Sequence, residues 1–263
     1  MCNNPINNRA QTLQVFASPV SVCGAPPDTV RVYWTTGKQR RRALDVRLEA
    51  PGQNRLAAAE VVAIRHLLGV GQVFGPNRTG VNLALVVSKG AVKKMANQSS
   101  QHHALYEYGY PLLTRYSGAS ITVSKDRSWF PDAETMGEVV QVDGEALKGI
   151  EMLDAGGKGR VGITRHALER YREHCGTLSL DTAWVNLALR LKKGLHNIEL
   201  EGKVLKHKVR KYGAAPEIWG RPDSPLHFVL RPEAGHKVLM TVFNRDPNER
   251  AAVFSPTAVN GRD

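Results

Sequence analysis

Residues 30–48 read VRVYWTTGKQRRRALDVRL. The first six positions, 30–35, are rich in Val, Tyr, Trp and Thr, side chains that suit a pleated, half-buried surface. Residues 37–42 follow with a glycine and four cations, Lys38, Arg40, Arg41 and Arg42. Then Leu44, Val46 and Leu48 recur at every second position. The pattern predicts two strands joined by a hairpin with a basic turn. Working downstream, Asn54 is a candidate helix cap, and residues 56–68 are dense in Ala, Val, Ile and Leu, which predicts a mostly buried helix. Residues 81–87 read as a central strand. Ser88 reads as the cap of a helix through Val92, Lys93, Lys94 and Met95, and residues 119–123 as a further strand. Residues 106–116 fit neither period. Upstream, residues 1–28 show little periodicity and read as an arm with one short strand near residues 20–22.

The chain has 263 residues, enough for one large core or two modest ones. Gly144, Gly149, Gly156, Gly157, Gly159 and Gly162 crowd one stretch and place a boundary there. The organisation expected is an N-terminal arm (1–28), a first domain (29–143), a Gly-rich linker (144–162), a second domain (163–255) and a tail (256–263). In the second domain Thr164 can cap a helix over residues 165–174, and Ser179 or Asp181 can cap the next. Leu180, Ala183, Trp184, Leu187, Ala188 and Leu191 form one apolar stripe at helical spacing. Lys192 and Lys193 suit its last turn and Gly194 its end. Residues 198–200, 204–212, 226–230 and 238–243 read as strands of an antiparallel sheet.

Lys and Arg exceed Asp and Glu by 12. Residues 1–155 carry net +4 and residues 156–263 net +8. A chain this basic points to a polyanionic partner, above all nucleic acid. No run of 18 apolar residues exists, so no membrane partner is expected. The N-terminus lacks the apolar core of a secretory signal. Cys2, Cys23 and Cys175 have no metal spacing, so neither a disulfide framework nor a zinc site is expected, nor any cofactor, and a reducing cytoplasm is the default. The candidate phosphate contacts are Lys38, Arg40, Arg41 and Arg42 in the turn, Lys93 and Lys94 on the helix, and Lys206, Lys208 and Arg210, which share one face of the expected strand 204–212. Each group has a plainer reading: an exposed turn, a solvated helix face, an edge strand protected by Lys.

The order strand, strand, helix, strand, helix, strand over residues 30–130 resembles the ribonuclease H family. Residues 30–37 (VRVYWTTG) resemble its opening strand, residues 54–63 (NRLAAAEVVA) its first helix, and residues 84–95 (ALVVSKGAVKKM) its fourth strand running into a helix. The resemblance implies an α/β ribonuclease H-like domain. Family enzymes use four carboxylates to hold two Mg²⁺ ions. Here Glu60 stands on the helix, but the first-strand position falls on Thr35 or Thr36 and the fourth-strand position on Ser88 or Lys89, with Asp132 or Glu134 as a late acid. The expectation is a domain without its metal site, in which Glu60 is either a relic or an ordinary helix carboxylate.

Residues 163–173 (ITRHALERYRE), two helices before a sheet, and residues 238–243 (VLMTVF) resemble the bacterial toxin-nuclease superfamily of barnase, the tRNA-cleaving colicins and RelE-type toxins. This implies a smaller α+β domain and metal-independent RNA cleavage, or a relative that has lost it. The residues themselves are compatible. His166, Arg170 and Glu173 fall within roughly 60° on one helix face. Ala167, Leu168, Tyr171 and Cys175 fall on another, apolar one. His can move a proton near neutral pH and Arg can stabilise phosphoryl charge. His166 is the candidate acid or base, Arg170 the clamp, and His207 and Thr241 the assisting groups. Trp219, in a Pro/Gly-rich loop, reads as a base-stacking platform or a lid over the core. The reading is a nucleic-acid-binding protein, RNA favoured over DNA, with an endoribonuclease in its second domain. Its rival is a non-catalytic binding or regulatory protein of plasmid or phage type, and a protein inhibitor or partner stays open as a third class.

Overall fold

The structure, a computed structural model, describes residues 10–19, 28–37, 41–49, 52, 54–76, 78–132, 136–176, 178–199, 206, 209–210, 215–245 and 253–254. It is an α/β protein whose chain divides into two compact units, Met1–Gly149 and Ile150–Asp263.

A central strand of the first unit is one the sequence pattern misses. Gln11–Pro19 (β1), inside the expected arm, runs through the sheet with its middle buried. The expected strand near residues 20–22 lies outside the described residues. The hairpin forms as its alternation requires: Thr29–Thr35 (β2) pairs antiparallel with Arg41–Arg47 (β3), Val32 opposite Leu44. β2 also pairs antiparallel with β1. Residues 30–37 are therefore largely the second strand, not the opening one. On the far side of β1, Leu83–Val87 (β4) and then Ser120–Val123 (β5) add in parallel, and Val140–Asp143 (β6) lies parallel to β3 at the other edge. The order is β5-β4-β1-β2-β3-β6.

Arg55–Arg65 (α1) follows β3 and continues as a wider turn over His66–Val70. Three consecutive alanines, Ala57–Ala59, let it approach the sheet closely, and Val61, Val62 and Ile64 complete its buried surface. Asn54 precedes α1 without a side-chain cap bond. Gly90–Ala96 (α2) is preceded by Lys89, not capped by Ser88, whose hydroxyl is engaged elsewhere. Residues 106–116 resolve into His103–Leu113 (α3) and the turn after it.

In the second unit the glycine-rich stretch is not a spacer. Met152–Asp154 (β7) and Arg160–Ile163 (β8) form a hairpin that turns through Gly156 and Gly159, with φ +64° and +77°, values that favour glycine. Gly162 is required by packing, since a Cβ there would stand 2.9 Å from the Ile150 side chain. Arg165–His174 (α4) and Leu180–Lys192 (α5) follow. Thr164 caps α4, its Oγ1 accepting from the Ala167 N–H at 3.0 Å. Ser179 makes no such bond and pairs its hydroxyl with Thr182. Then come His196–Glu199 (β9), Glu217–Gly220 (β10), Leu226–Glu233 (β11), His236–Asn244 (β12) and Val253–Phe254 (β13). The order is β13-β9-β10-β11-β12-β8-β7. The sheet is mixed, because β8 joins β12 in parallel.

Both helices bury their apolar stripes, with Leu168, Tyr171, Trp184 and Leu187 packing against Phe228, Leu230, Leu239 and Val242. A smaller cluster of Ile198, Ile218 and Val229, with Phe243 beside it, forms a second core. The strand expected at 204–212 is not formed at the described positions: Lys206, Val209 and Arg210 are helical and exposed. The alternation of cations with Leu and Val there is short, and Lys, Arg and Leu are also good helix formers. Among the described residues no helix is long and apolar enough to cross a membrane.

Candidate functional site

In the second unit the site residues are placed by the end of β8. β8 pairs with β12 at Lys237–Leu239, and the chain then turns into α4. Thr164 fixes that turn: its N–H and its hydroxyl both donate to the Leu239 carbonyl, at 3.3 and 2.9 Å. The β11–β12 register shifts at this level, between Val229 and Leu230. Thr241 lies just past the end of β8's pairing. His166, in the first turn of α4, is exposed and reaches it, with Nε2 3.5 Å from Thr241 Oγ1. Two residues expected from 75 positions apart in the chain therefore meet.

The other two do not join them in the same way. Arg170 lies one turn further along α4, and its guanidinium donates to Glu173 at 2.6 Å. His207 lies outside the described residues. Arg165 is similarly held by Glu169, at 2.7 Å. Of the remaining histidines in this sheet, His227 is buried edge-on against Phe243, and His236 sits against Glu233. Trp219 stands on β10 and not in a loop: it packs on the helix-side core, donates its indole N–H to Glu217 at 2.7 Å, and has Lys158 and Lys237 over its ring.

The expected phosphate contacts are scattered. Arg42 is exposed on β3, Arg41 opens that strand, and Lys38 and Arg40 lie outside the described residues. Lys93 and Lys94 are exposed in the last turn of α2. Lys206 and Arg210 are exposed at helical positions four apart, and Lys208 lies outside the described residues. The straight strand-face track is not formed at these described positions.

Glu60 has a different surrounding from the one the sequence suggests. Because β1 is central, the strand residue beside Glu60 is Ala17, not Thr35 or Thr36; Thr35 instead closes the turn to Gly37 through its hydroxyl. The Glu60 side chain is fully buried between the carboxyl ends of β1 and β4. It accepts from the N–H groups of Ala17, Ser88 and Lys89, each at 3.0 Å, and from the Ser88 hydroxyl. Burial pushes its pKa up, and these donors pull the other way. Asp132 is exposed and Glu134 lies outside the described residues.

What the sequence reading missed is a group of cations beside the strand ends that Glu60 ties together. Lys89, two residues past β4, and Arg127, four past β5, both lie over the Phe16 ring, at 5.7 and 4.8 Å from its centre. Lys125, two past β5, donates to the Ser88 carbonyl. Desolvation lowers the Lys89 pKa, and Lys125 and Arg127 lower it further while Glu60 opposes them. The signal available was positional: each cation follows the end of a parallel strand. One carboxylate with its oxygens already taken, and with Lys89 as its charged neighbour, does not fit a divalent metal, which needs several free anionic oxygens. Among the described residues no three His, Cys, Asp or Glu side chains gather as a metal set. In comparisons with known proteins, no family model, no curated protein and no solved structure matches this chain.

Proposed function

We propose that the chain is a nucleic-acid-binding protein, RNA favoured over DNA, and that its second unit cleaves RNA without a metal ion. We infer a ribonuclease H-like frame for the first unit. What supports it is the antiparallel trio β1–β2–β3, the parallel strands β4 and β5 beside β1, and the helix carboxylate Glu60 at the ends of β1 and β4. For the second unit we infer a toxin-nuclease-like α+β frame. Its support is the capped helix α4 packed across a largely antiparallel sheet.

The observation that carries cleavage is the His166–Thr241 pair, an exposed imidazole 3.5 Å from a hydroxyl on a neighbouring strand. In that reaction the imidazole takes the proton of an RNA 2′-OH, whose oxygen attacks the adjacent phosphorus. The P–O5′ bond breaks, the 5′-oxygen leaves with a proton, and a 2′,3′-cyclic phosphate remains. Thr241 holds the ring in position. Arg170 stabilises the growing charge once a phosphate draws it from Glu173, an exposed pair of the kind worth little by itself.

The test is incubation of the full chain with mixed-sequence RNA in EDTA. Expected are 2′,3′-cyclic ends, no cleavage where the sugar is 2′-deoxy, and a ~10²–10⁴-fold loss of rate in His166→Ala with binding intact. Arg170's engagement by Glu173 favours a second reading, binding without cleavage, in a regulatory protein of plasmid or phage type. RNA that is bound and left intact by the pure chain would decide for it.

A further inference from the structure

In an open sheet with parallel strands, the place left for a ligand is the crevice beyond their carboxyl ends, where neighbouring strands send the chain in opposite directions. In the first unit that place is between β1 and β4. From β1 the chain passes to β2 on one side; from β4 it passes by α2 and α3 to β5 on the other. The two strands pair in parallel through Gln14 and Val86, and beyond that point Glu60 inserts between them. Its carboxylate acts inward, tying the backbone of Ala17 to that of Ser88 and Lys89.

The loops that follow β4 and β5 are cationic. Lys89 and Arg127 reach one ring from two different loops, and Lys125 is tied to the carbonyl of the residue preceding Lys89. Among the described residues none of the three forms an ion pair with a carboxylate. Asp126, between two of them in sequence, turns its carboxylate to the Ser128 N–H at 2.9 Å. Three cations gathered by separate loops repel one another, and an anion seated among them relieves that repulsion. An Arg fork with two ammonium groups matches the non-bridging oxygens of a phosphate. The floor is firm: Phe16 is buried, and Phe130 meets it edge-on while stacking on Tyr33, with ring centres 5.1 and 4.2 Å apart.

We propose that Lys89, Lys125 and Arg127 form a phosphate-binding site at the carboxyl ends of β1 and β4, occupied in the nucleic-acid reading above, on which this rests, by a backbone phosphodiester. The experiment uses the full chain in EDTA and two probes, a fluorescein-labelled single-stranded RNA 20-mer and ATP. Lys125→Gln combined with Arg127→Gln alters only exposed side chains and spares Glu60. It should weaken RNA binding about tenfold at moderate salt and lower the slope of log K against log salt by about 1.4, at roughly 0.7 per phosphate contact. Arg127→Lys should keep the slope and lose part of the affinity.

RNA bound with an unchanged slope in the double variant overturns the site and leaves the nucleic-acid reading standing. ATP bound by the parent, lost in the double variant, with RNA not bound at all, supports the site and overturns the nucleic-acid reading. Neither probe bound by the parent overturns both. Circular dichroism of the double variant should match the parent; a lost fold would transfer the decision to Arg127→Lys, whose unaltered affinity would overturn the site.

Discussion

Glu60 and His166 are both ionisable residues on the first helix after a strand hairpin, yet the structure surrounds them in opposite ways. Glu60 lies on a helix packed flat on its sheet, is fully buried, and spends both oxygens on three backbone N–H groups and a hydroxyl. His166 sits in the first turn of a helix that follows β8, is exposed, and makes one long contact to the Thr241 hydroxyl at 3.5 Å. An ionisable group with all its bonds made holds structure; one with a loose bond and access to solvent can exchange a proton. The helix residue that most resembles a catalytic acid in the sequence is thus the anchor, and the more ordinary-looking His is the chemical candidate.

The strongest way to break this contrast is to remove the anchor. Glu60→Ala takes the acceptor from two buried N–H groups and from the half-buried Lys89 N–H and leaves a cavity beneath Ser88, and should cost roughly 3 kcal/mol or more of first-unit stability. Chemical denaturation of the full chain checks it. A first-unit transition that does not move would mean that Glu60 anchors nothing. Any RNA cleavage by the second unit should survive this change below the melting point, and its loss would place Glu60 in the chemistry after all.

Thr164→Ala acts on the other side of the comparison. It removes the α4 cap and the hydroxyl bond to Leu239, and should cost about 1 kcal/mol. If the His166–Thr241 spacing matters, cleavage should fall by more than the stability loss accounts for, through the rate and not through RNA affinity.

A subtler test uses pH, because two buried or half-buried carboxylates in the first unit have opposite signs. Burial alone would raise Glu145, but Lys148 at 2.5 Å, the Tyr108 hydroxyl at 2.6 Å and the Glu49 N–H outweigh it and hold it at about 2. Its contribution is present above the ordinary carboxylate range and is lost as the pH falls from there toward 2. Glu60 is raised, so its contribution is full below the ordinary value and fades as the pH climbs through its folded value. The difference in melting temperature between the parent and Glu145→Gln should therefore shrink from pH 6 to pH 3. A difference that stayed level would show that the Lys148 and Tyr108 contacts do not persist in solution.

The parts of the fold that local pattern dictates are legible in the residues. The alternation of residues 44–48, the alanine-rich helix after Asn54, the cap at Thr164 and the single stripe of α5 each state their structure within a dozen positions. β1 does not, because QTLQVFASP has no clean alternation; it becomes a strand through partners at residues 29–35 and 83–87. The glycines of 156–162 carry a hairpin turn and a close packing contact, and such needs look the same as a linker in composition. At the site, helix spacing is enough to group His166 with Arg170, but Arg170's engagement by Glu173 depends on rotamers. The cations over Phe16 were invisible for a further reason: Lys89 and Arg127 meet only after β4 and β5 pair.

Those parallel pairings also set a timetable. Gln11 must wait for Leu83, 72 residues later, before β1 gains its second neighbour, and Val161 waits 76 residues for Lys237. Contacts closed over such spans make for slow folding. On the ribosome the first unit can close its main sheet while the second is being made, but β8 and its helix leave the tunnel long before the strand that α4 is tied to. The proposed chemical pair, His166 and Thr241, is split across that interval, so any cleaving activity would exist only once β12 has been synthesised and docked.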